Sequence, residues 1–271
     1  MKNCSLLINS CDAYKDTWPL FFTCLKHQWE NLDCPIFLNT ESEDYNDPHF
    51  KISVVHGGKR EWGARLATSL RRIKTDYVIV LLDDFFINTA VDCEAIEKHL
   101  RQMADDPEIA CIHLNARCEK IRSECESPEL EDCVRIHKDE YGVVNCGPSL
   151  WRREDLLRIT HDYVNAWLFE AYGCFLASNS NKKFYVRSKA AGDVFLYGRE
   201  YGGAIHKNIW VGCVVRPIME KYGVEMDLSK RGVVEDWTKE GEGYYKITLH
   251  QKIKNRIVLC RILTYNFFHR R

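Results

Sequence analysis

Five short apolar runs stand out in the first half of the chain: Cys4 to Ile8, Pro35 to Leu38, Ile52 to Val55, Tyr77 to Leu82 and Ile109 to Leu114. Each is brief and bounded by turn-forming residues, which predicts strands. Between them apolar residues recur at every third or fourth position. The sets are Tyr14, Trp18, Phe21 or Phe22, Leu25 and Trp29; then Trp62, Leu66, Leu70 and Ile73; then Cys93, Ile96, Leu100 and Met103. That rhythm predicts helices with one buried face. Alternating strands and helices predict an α/β fold with a mostly parallel central sheet flanked by helices.

The second half is less regular. Asn115 to Asp132 is charged and poor in large apolar side chains, as in an exposed excursion. Val134 to Ile136 and Tyr141 to Asn145 suit a hairpin at the sheet edge. After Cys146-Gly-Pro148 a helix is expected from Trp151 to Ile159, another over Ala166 to Ala177, and a strand at Phe184 to Val186. No internal repeat or low-complexity linker interrupts the chain, which favours one continuous domain over residues 1–243. Its donor half is placed at about 1–114 and its acceptor half at about 133–243, with a tail over 244–271.

One strand carries chemistry. Tyr77-Val-Ile-Val-Leu-Leu82 is continuously apolar, as in a central strand covered on both faces, and it ends in Asp83-Asp84. In open α/β sheets, ligands bind beyond the carboxyl ends of the strands. Two adjacent carboxylates there repel one another, and a divalent cation on a nucleotide diphosphate relieves that repulsion. The alternative is that one of them caps the helix opening near Thr89 or Asp92.

Composition narrows the classes. The segment Gly243 to Arg271 holds seven Lys or Arg and no acid, and subtracting these from the chain's 38 leaves 31 basic against 39 acidic residues elsewhere. Such a body does not suit nucleic acid, whereas the basic, apolar tail reads as an interfacial helix for an anionic membrane. Docking of that tail on the body is the alternative. Thirteen cysteines, an odd count with no C-x-x-C, argue for small buried side chains in a reducing cytosol rather than a disulfide framework or zinc site. The apolar run near the N-terminus is too short for a signal peptide, and none reaches the roughly 18 residues of a spanning helix. The Rossmann, P-loop, zincin and serine-hydrolase fingerprints are all absent from the sequence.

Leu7-Ile-Asn-Ser-Cys-Asp-Ala-Tyr14, Trp18-Pro-Leu-Phe-Phe22, Pro35-Ile-Phe-Leu-Asn-Thr40, Trp62-Gly-Ala-Arg-Leu66 and Tyr77 to Phe86, in this order, resemble bacterial GT-A type glycosyltransferases of capsule and lipopolysaccharide synthesis. The resemblance covers roughly Cys4 to Trp210. It implies a Rossmann-like GT-A fold, a nucleotide-diphosphate sugar donor, a glycan or lipid-linked glycan acceptor, and Mn²⁺ or Mg²⁺ held by Asp83 and Asp84. Here the acids are adjacent rather than spaced as Asp-x-Asp. The resemblance places Ser10, Asp12 and the Asn39-Thr40-Glu41 turn around the nucleoside, with capping of the Tyr14 helix the other reading of Ser10 and Asp12. Arg65 is a candidate partner of the diphosphate, or else an exposed helix Arg.

On the acceptor side, Trp151 and Trp167 offer flat faces for sugar stacking, and Asn165-Ala-Trp167-Leu-Phe-Glu170 matches the family's aromatic-aromatic-Glu pattern. An inverting transfer needs a carboxylate to take the acceptor's proton, and Glu170 is the expected base, with Asp155 and Asp162 in reserve. Tyr201-Gly-Gly-Ala-Ile-His-Lys-Asn-Ile-Trp210 suits either a mobile flap that brings His206 or Lys207 to the metal or phosphate, or a plain glycine-rich loop. Two other readings remain: a nucleotidyltransferase acting on a sugar phosphate, and a non-catalytic module of glycan assembly.

Overall fold

The computed structural model describes residues 1–116, 130–137, 140, 142–236, 256–258, 260 and 264. The first half follows its periodicity closely. Strand β1 (Cys4–Asn9) leads through a single tight turn at 12–14 into α1 (Trp18–Gln28), followed by β2 (Ile36–Thr40), β3 (Ile52–His56), α2 (Trp62–Arg72), β4 (Tyr77–Leu82), α3 (Cys93–Asp105) and β5 (Ile109–His113). Helix α1 starts at Trp18 rather than Tyr14, with Pro19 in its first turn, where a missing N–H costs no intrahelical bond. Its Trp18, Leu20, Phe21, Phe22, Cys24 and Leu25 are buried, each large one contributing about 1.5–3 kcal/mol.

The second half adds β6 (Cys133–Arg135), β7 (Ser149–Arg152), α4 (Arg153–Ile159), α5 (Ala166–Ser178), β8 (Lys183–Arg187), β9 (Ile205–His206), β10 (Ile209–Val211), α6 (Gly212–Tyr222) and β11 (Val233–Val234). Eight strands form one sheet in the order β3-β2-β1-β4-β7-β5-β8-β6, and β11-β10-β9 form a small second sheet. In the large sheet β6 and β7 run against the other six. Strand alternation splits the core into two layers. Leu6, Ile8, Ile79 and Leu81 pack with α1, α3 and α6, while Leu7 and Val78 pack with α2, α4 and α5. The mostly parallel α/β architecture expected from the pattern is the one observed, and both halves share its central sheet.

Three expectations are corrected. Residues 149–152 are a strand, not the start of a helix. Leu150 and Trp151 face opposite layers, both buried, and the segment fills the gap between β4 and β5. The edge hairpin does not form: β6 pairs with β8, while Val143 and Val144 are pressed into the core beneath α5, where Gly173 leaves room for Val144. Tyr141 lies outside the described residues, as do most of the charged excursion and the tail. Residues 205–211 are a hairpin rather than a loose flap, turning at Lys207 and Asn208 with φ of 49° and 65°. Asn208 tolerates that left-handed geometry where glycine is the usual choice.

Gly63, at the start of α2, donates its N–H to the Val164 carbonyl at 2.8 Å, and an added Cβ would stand 2.1 Å from the His161 oxygen. Gly63→Ala is therefore expected to destabilise the fold by about 1–3 kcal/mol through overpacking. Urea unfolding checks this, and an unchanged midpoint would mean that the 161–164 turn yields freely.

Candidate functional site

The chain runs outward from β1 through β2 to β3 and then returns across β1 to β4, so the strand order reverses between β1 and β4. Such a switch point opens a crevice at the carboxyl ends of the two strands. Asn9 and Leu82 are register partners, which puts Ser10 and Asp83 side by side just past the edge. The Ser10 hydroxyl donates to Asp83 Oδ2, and Trp18 Nε1 donates to Ser10 Oγ at 2.8 Å. Ser10 therefore orients Asp83 and does not cap a helix.

Neither acid caps α3, whose N-cap is Asp92, accepting from the Ala95 N–H at 2.9 Å. Asp83 is 4% and Asp84 8% exposed, and among the described residues neither has an ion-pair partner. Burial pushes the Asp84 carboxyl up to about 7. Burial, with the Asp84 charge added, holds Asp83 well above the usual carboxylate range.

The acids do not face an open crevice: a cover lies over them. Gly203, at φ 118°, brings its backbone against Asp84, so that an added Cβ would meet Oδ2 at 2.8 Å. The Ala204 N–H donates to the Asp84 carbonyl at 3.0 Å, and the Ile205 N–H to its carboxylate. Above them stands Arg231, which the sequence reading did not single out. Its guanidinium holds Asp16 through two bonds, at 2.8 and 2.6 Å, and also donates to Asn208 and the Ala13 carbonyl. It stacks 4.3 Å over the Tyr14 ring and 5.6 Å from that of Trp210. The Tyr14 phenol, pushed up to about 12 by burial and the charges of Asp84 and Asp83, completes the cover. In sequence Arg231 looks like any surface cation beside Lys230.

Beyond the ends of β1 and β2, Asp12 is a structural clamp. Its carboxylate accepts from the backbone of Glu41 at 2.9 Å, Ser42 at 3.0 Å and Glu43 at 3.1 Å, and from the Ser42 hydroxyl at 2.6 Å. Asn39 and Thr40 are fully buried. Asn39 donates to Asn9 Oδ1 and leaves its own Oδ1 without a partner, while Thr40 donates to the Glu43 carbonyl at 3.0 Å. Both are turned into the protein rather than presented to a nucleoside. Arg65 is not an exposed helix residue: it is buried, ion-paired with Glu41, and has an Nε with no partner. Its field reaches Cys11, Asp12 and Asp83. Gly57 makes room for it, since an added Cβ would stand 2.5 Å from Arg65 Cγ.

At the other end of the sheet edge, beside β7, Glu170 Oε1 accepts from the Cys146 N–H at 2.9 Å. The loop carrying Cys146 is braced by Asn145, whose amide bonds Gly147 N at 2.8 Å and the Gly142 carbonyl at 3.0 Å. Cys146 and Leu82 line one pocket with Trp62, Leu66, Val80, Asn145, Gly147, Ser149, Trp151, Leu156 and Phe169. That pocket links the end of β4 to the Glu170 loop. Trp167 is 75% exposed in the first turn of α5. Trp151 is 2% exposed, with its Nε1 on Ser149 Oγ at 2.8 Å, so it has no free face for a sugar. Of the reserve bases, Asp155 is tied by Arg158 at 2.7 Å and Lys182 at 2.9 Å, while Asp162 is exposed.

A divalent cation suits the chemistry of Asp83 and Asp84, two adjacent carboxylates with no paired charge. The expected third ligand does not join them. Among the described residues no three His, Cys, Asp or Glu side chains are grouped to hold a metal, and His206 ends β9, paired with Ile209 across its turn.

No family model matches the sequence, and neither does any curated protein. Among solved structures the chain is similar to S. aureus TarS 1-349, with a TM-score of 0.45 and 10% identity over 84% of this chain and 68% of that one. It spans 36% of the longer TarS chain. It is also similar to UDP-glucose pyrophosphorylase complexed with UDP-glucose, at TM-score 0.43 and 11% identity over 72% and 91% of the two chains. A third similarity is to CMP:2-keto-3-deoxy-manno-octonic acid synthetase complexed with CTP, at 0.36 and 13% over 68% and 88%.

The buried acid pair has a measurable signature. From the ordinary carboxylate range up to pH about 7 the folded chain keeps a proton on Asp84 that the unfolded chain has lost. Stability therefore falls as pH rises through that window. Denaturant midpoints from pH 4.5 to 8 are expected to decline, and Asp84→Asn to flatten the decline. An equal slope in the variant would assign it to other groups.

Proposed function

We propose that this protein is a glycosyltransferase that moves a sugar from a nucleotide-diphosphate donor to a hydroxyl of a glycan or lipid-linked glycan in surface polysaccharide synthesis. The observation that carries this reading is the Asp83-Asp84 pair at the β1/β4 switch point, two buried carboxyls with no ion-pair partner among the described residues, one residue from a pocket whose far wall is tied to Glu170. An anionic diphosphate bound directly to bare carboxylates would be repelled, so the pair calls for a cation between them.

In this reading Asp83 and Asp84 hold Mn²⁺ or Mg²⁺. The ion, when bound, supplies Lewis-acid neutralisation of the departing diphosphate. Arg65 and Arg231 flank the acids with fixed positive charge, suited to phosphate oxygens once the cover is displaced. Glu170, steadied through one oxygen by Cys146, accepts the proton from the acceptor hydroxyl as that oxygen attacks the anomeric carbon. The bond to the diphosphate breaks on the opposite face, giving inversion. Binding in the cytoplasm at the membrane surface through the basic tail would bring a lipid-linked acceptor to the site. No helix among the described residues is long and apolar enough to cross a membrane.

A thermal-shift screen of nucleoside diphosphates tests the donor side. A rise in melting temperature is expected with one base in the presence of Mn²⁺, and its loss in Asp83→Asn; no rise with any of them would overturn the reading. For the base, Glu170→Gln is expected to keep donor binding while lowering kcat about 10²–10⁴-fold. NMR of the product anomer checks inversion.

A further inference from the structure

Helix α5 departs from the pattern of a surface helix. Its inward residues Leu168, Phe169, Tyr172 and Ala177 are buried in the layer shared with α2 and α4, and the opposite face of such a helix is ordinarily polar. Here that face is apolar. Trp167, Ala171 and Phe175, successive at i, i+4 and i+8, are exposed, and Glu170 is the single charged residue of the helix. Tyr163, just before it, is 58% exposed. A helix apolar on all sides belongs in the core of a large protein or in lipid.

The basic tail comes to the same side of the sheet. Its described residues, 256–258, 260 and 264, are helical, with Thr264 Oγ1 donating to the Cys260 carbonyl at 2.8 Å. Val258 packs against the α2, α4 and α5 layer, while Arg256 and Ile257 are exposed. Of the six large apolar side chains that stand exposed among the described residues, Tyr163, Trp167, Phe175 and Ile257 therefore belong to segments packed on this one layer. Scattered apolar residues on a surface are ordinary, but a cluster of them marks a contact face. Charge says what meets it. The seven Lys or Arg of Gly243 to Arg271, with no acid among them, are drawn to anionic lipid, whereas a second copy of this chain would set two such cationic tails against each other. Aromatic rings settle at the level of lipid headgroups. At thirteen residues, α5 is about 20 Å long, too short to span a bilayer and suited to lying in its surface.

We propose that the outer face of α5, with Tyr163 and the tail helix beside it, is a membrane-docking surface that seats Trp167 and Phe175 among the headgroups of an anionic bilayer. The tail supplies the attraction and α5 the insertion. Glu170 lies one helical turn from Trp167, so docking holds that carboxylate and the Cys146 loop close to the membrane surface, where a lipid-borne hydroxyl can reach them. This rests on the membrane-surface part of the function proposed above, and it gives Trp167 a lipid to meet in place of a sugar.

The test mixes the full chain with vesicles of phosphatidylcholine alone or with equal parts of phosphatidylglycerol. Co-sedimentation is expected with the anionic vesicles, weakening at high salt. The double variant Trp167→Ser, Phe175→Ser changes exposed positions, so its urea midpoint is expected to stay close to that of the unchanged chain, while its partitioning falls about tenfold. With bromine-labelled acyl chains in the vesicles, tryptophan emission is expected to be quenched, and Trp167→Phe to lose most of that quenching. Equal binding by the double variant, or unchanged quenching in Trp167→Phe, overturns the α5 surface, as it would if the chain's own tail covered that face, and leaves the tail's membrane role standing. No binding to either vesicle overturns both. A dimer in sedimentation velocity that the double variant abolishes would assign the face to a second copy and overturn the membrane surface. None of these readouts involves a nucleotide, so failure of the diphosphate melting shift sinks the donor reading alone.

Discussion

A pair of carboxylates placed where a parallel sheet changes direction is the constraint around which this molecule is organised. Asp83 and Asp84 end the central strand, and their burial raises both pKa values. The surroundings hold the acids in place without supplying an ion-pair partner, so burial favours their protonated forms. The Ser10 hydroxyl and Trp18 fix Asp83 from the β1 side; the Ile205 N–H and the bare backbone of Gly203 fix Asp84 from the other. Hydrogen bonds orient a carboxylate, but they do not cancel its charge as a cation does. The pair is oriented in advance and, once deprotonated, lacks a cation.

The cover over the acids explains why segments distant in sequence meet there. Arg231 arrives from the loop before β11 and binds Asp16 after β1, with Tyr14 and Trp210 on its faces. A guanidinium stacked between rings and forked onto a carboxylate joins the small sheet to the large one. It also places a fixed positive charge near Asp83 and Asp84 without pairing with them. Arg65 does the same from α2, held to Glu41. The acids thus sit between two buried arginines, each with an acidic partner of its own.

The other side of the site depends on an interruption of the parallel pattern. Strand β7 inserts antiparallel between β4 and β5, and the turn leading into it brings Cys146 to Glu170. Because β7 lies against β4, that turn stands beside Leu82, and both line one small pocket with Trp62. The acid pair and the loop that holds Glu170 are therefore adjacent through one strand contact.

Local periodicity was enough to place α1, α2 and α3, the first five strands and the acids at the end of β4, because strand and helix spacings are properties of a few consecutive residues. It did not place β7. Ser149 to Arg152 has no signature of its own, and its strand state comes from edges supplied by β4 and β5. Nor did it show which polar residues serve a ligand and which serve the fold. Ser10 meets Asp83 across 73 positions, Glu170 meets Cys146 across 24, and Arg231 meets Asp16 across 215. Residue types at such separations carry no record of their partners. The tertiary structure alone decided that Asp12 is a clamp, that Trp151 is core and that Trp62 lines a small pocket beside the end of β4, since burial and hydrogen-bond pairing arise only when distant segments pack.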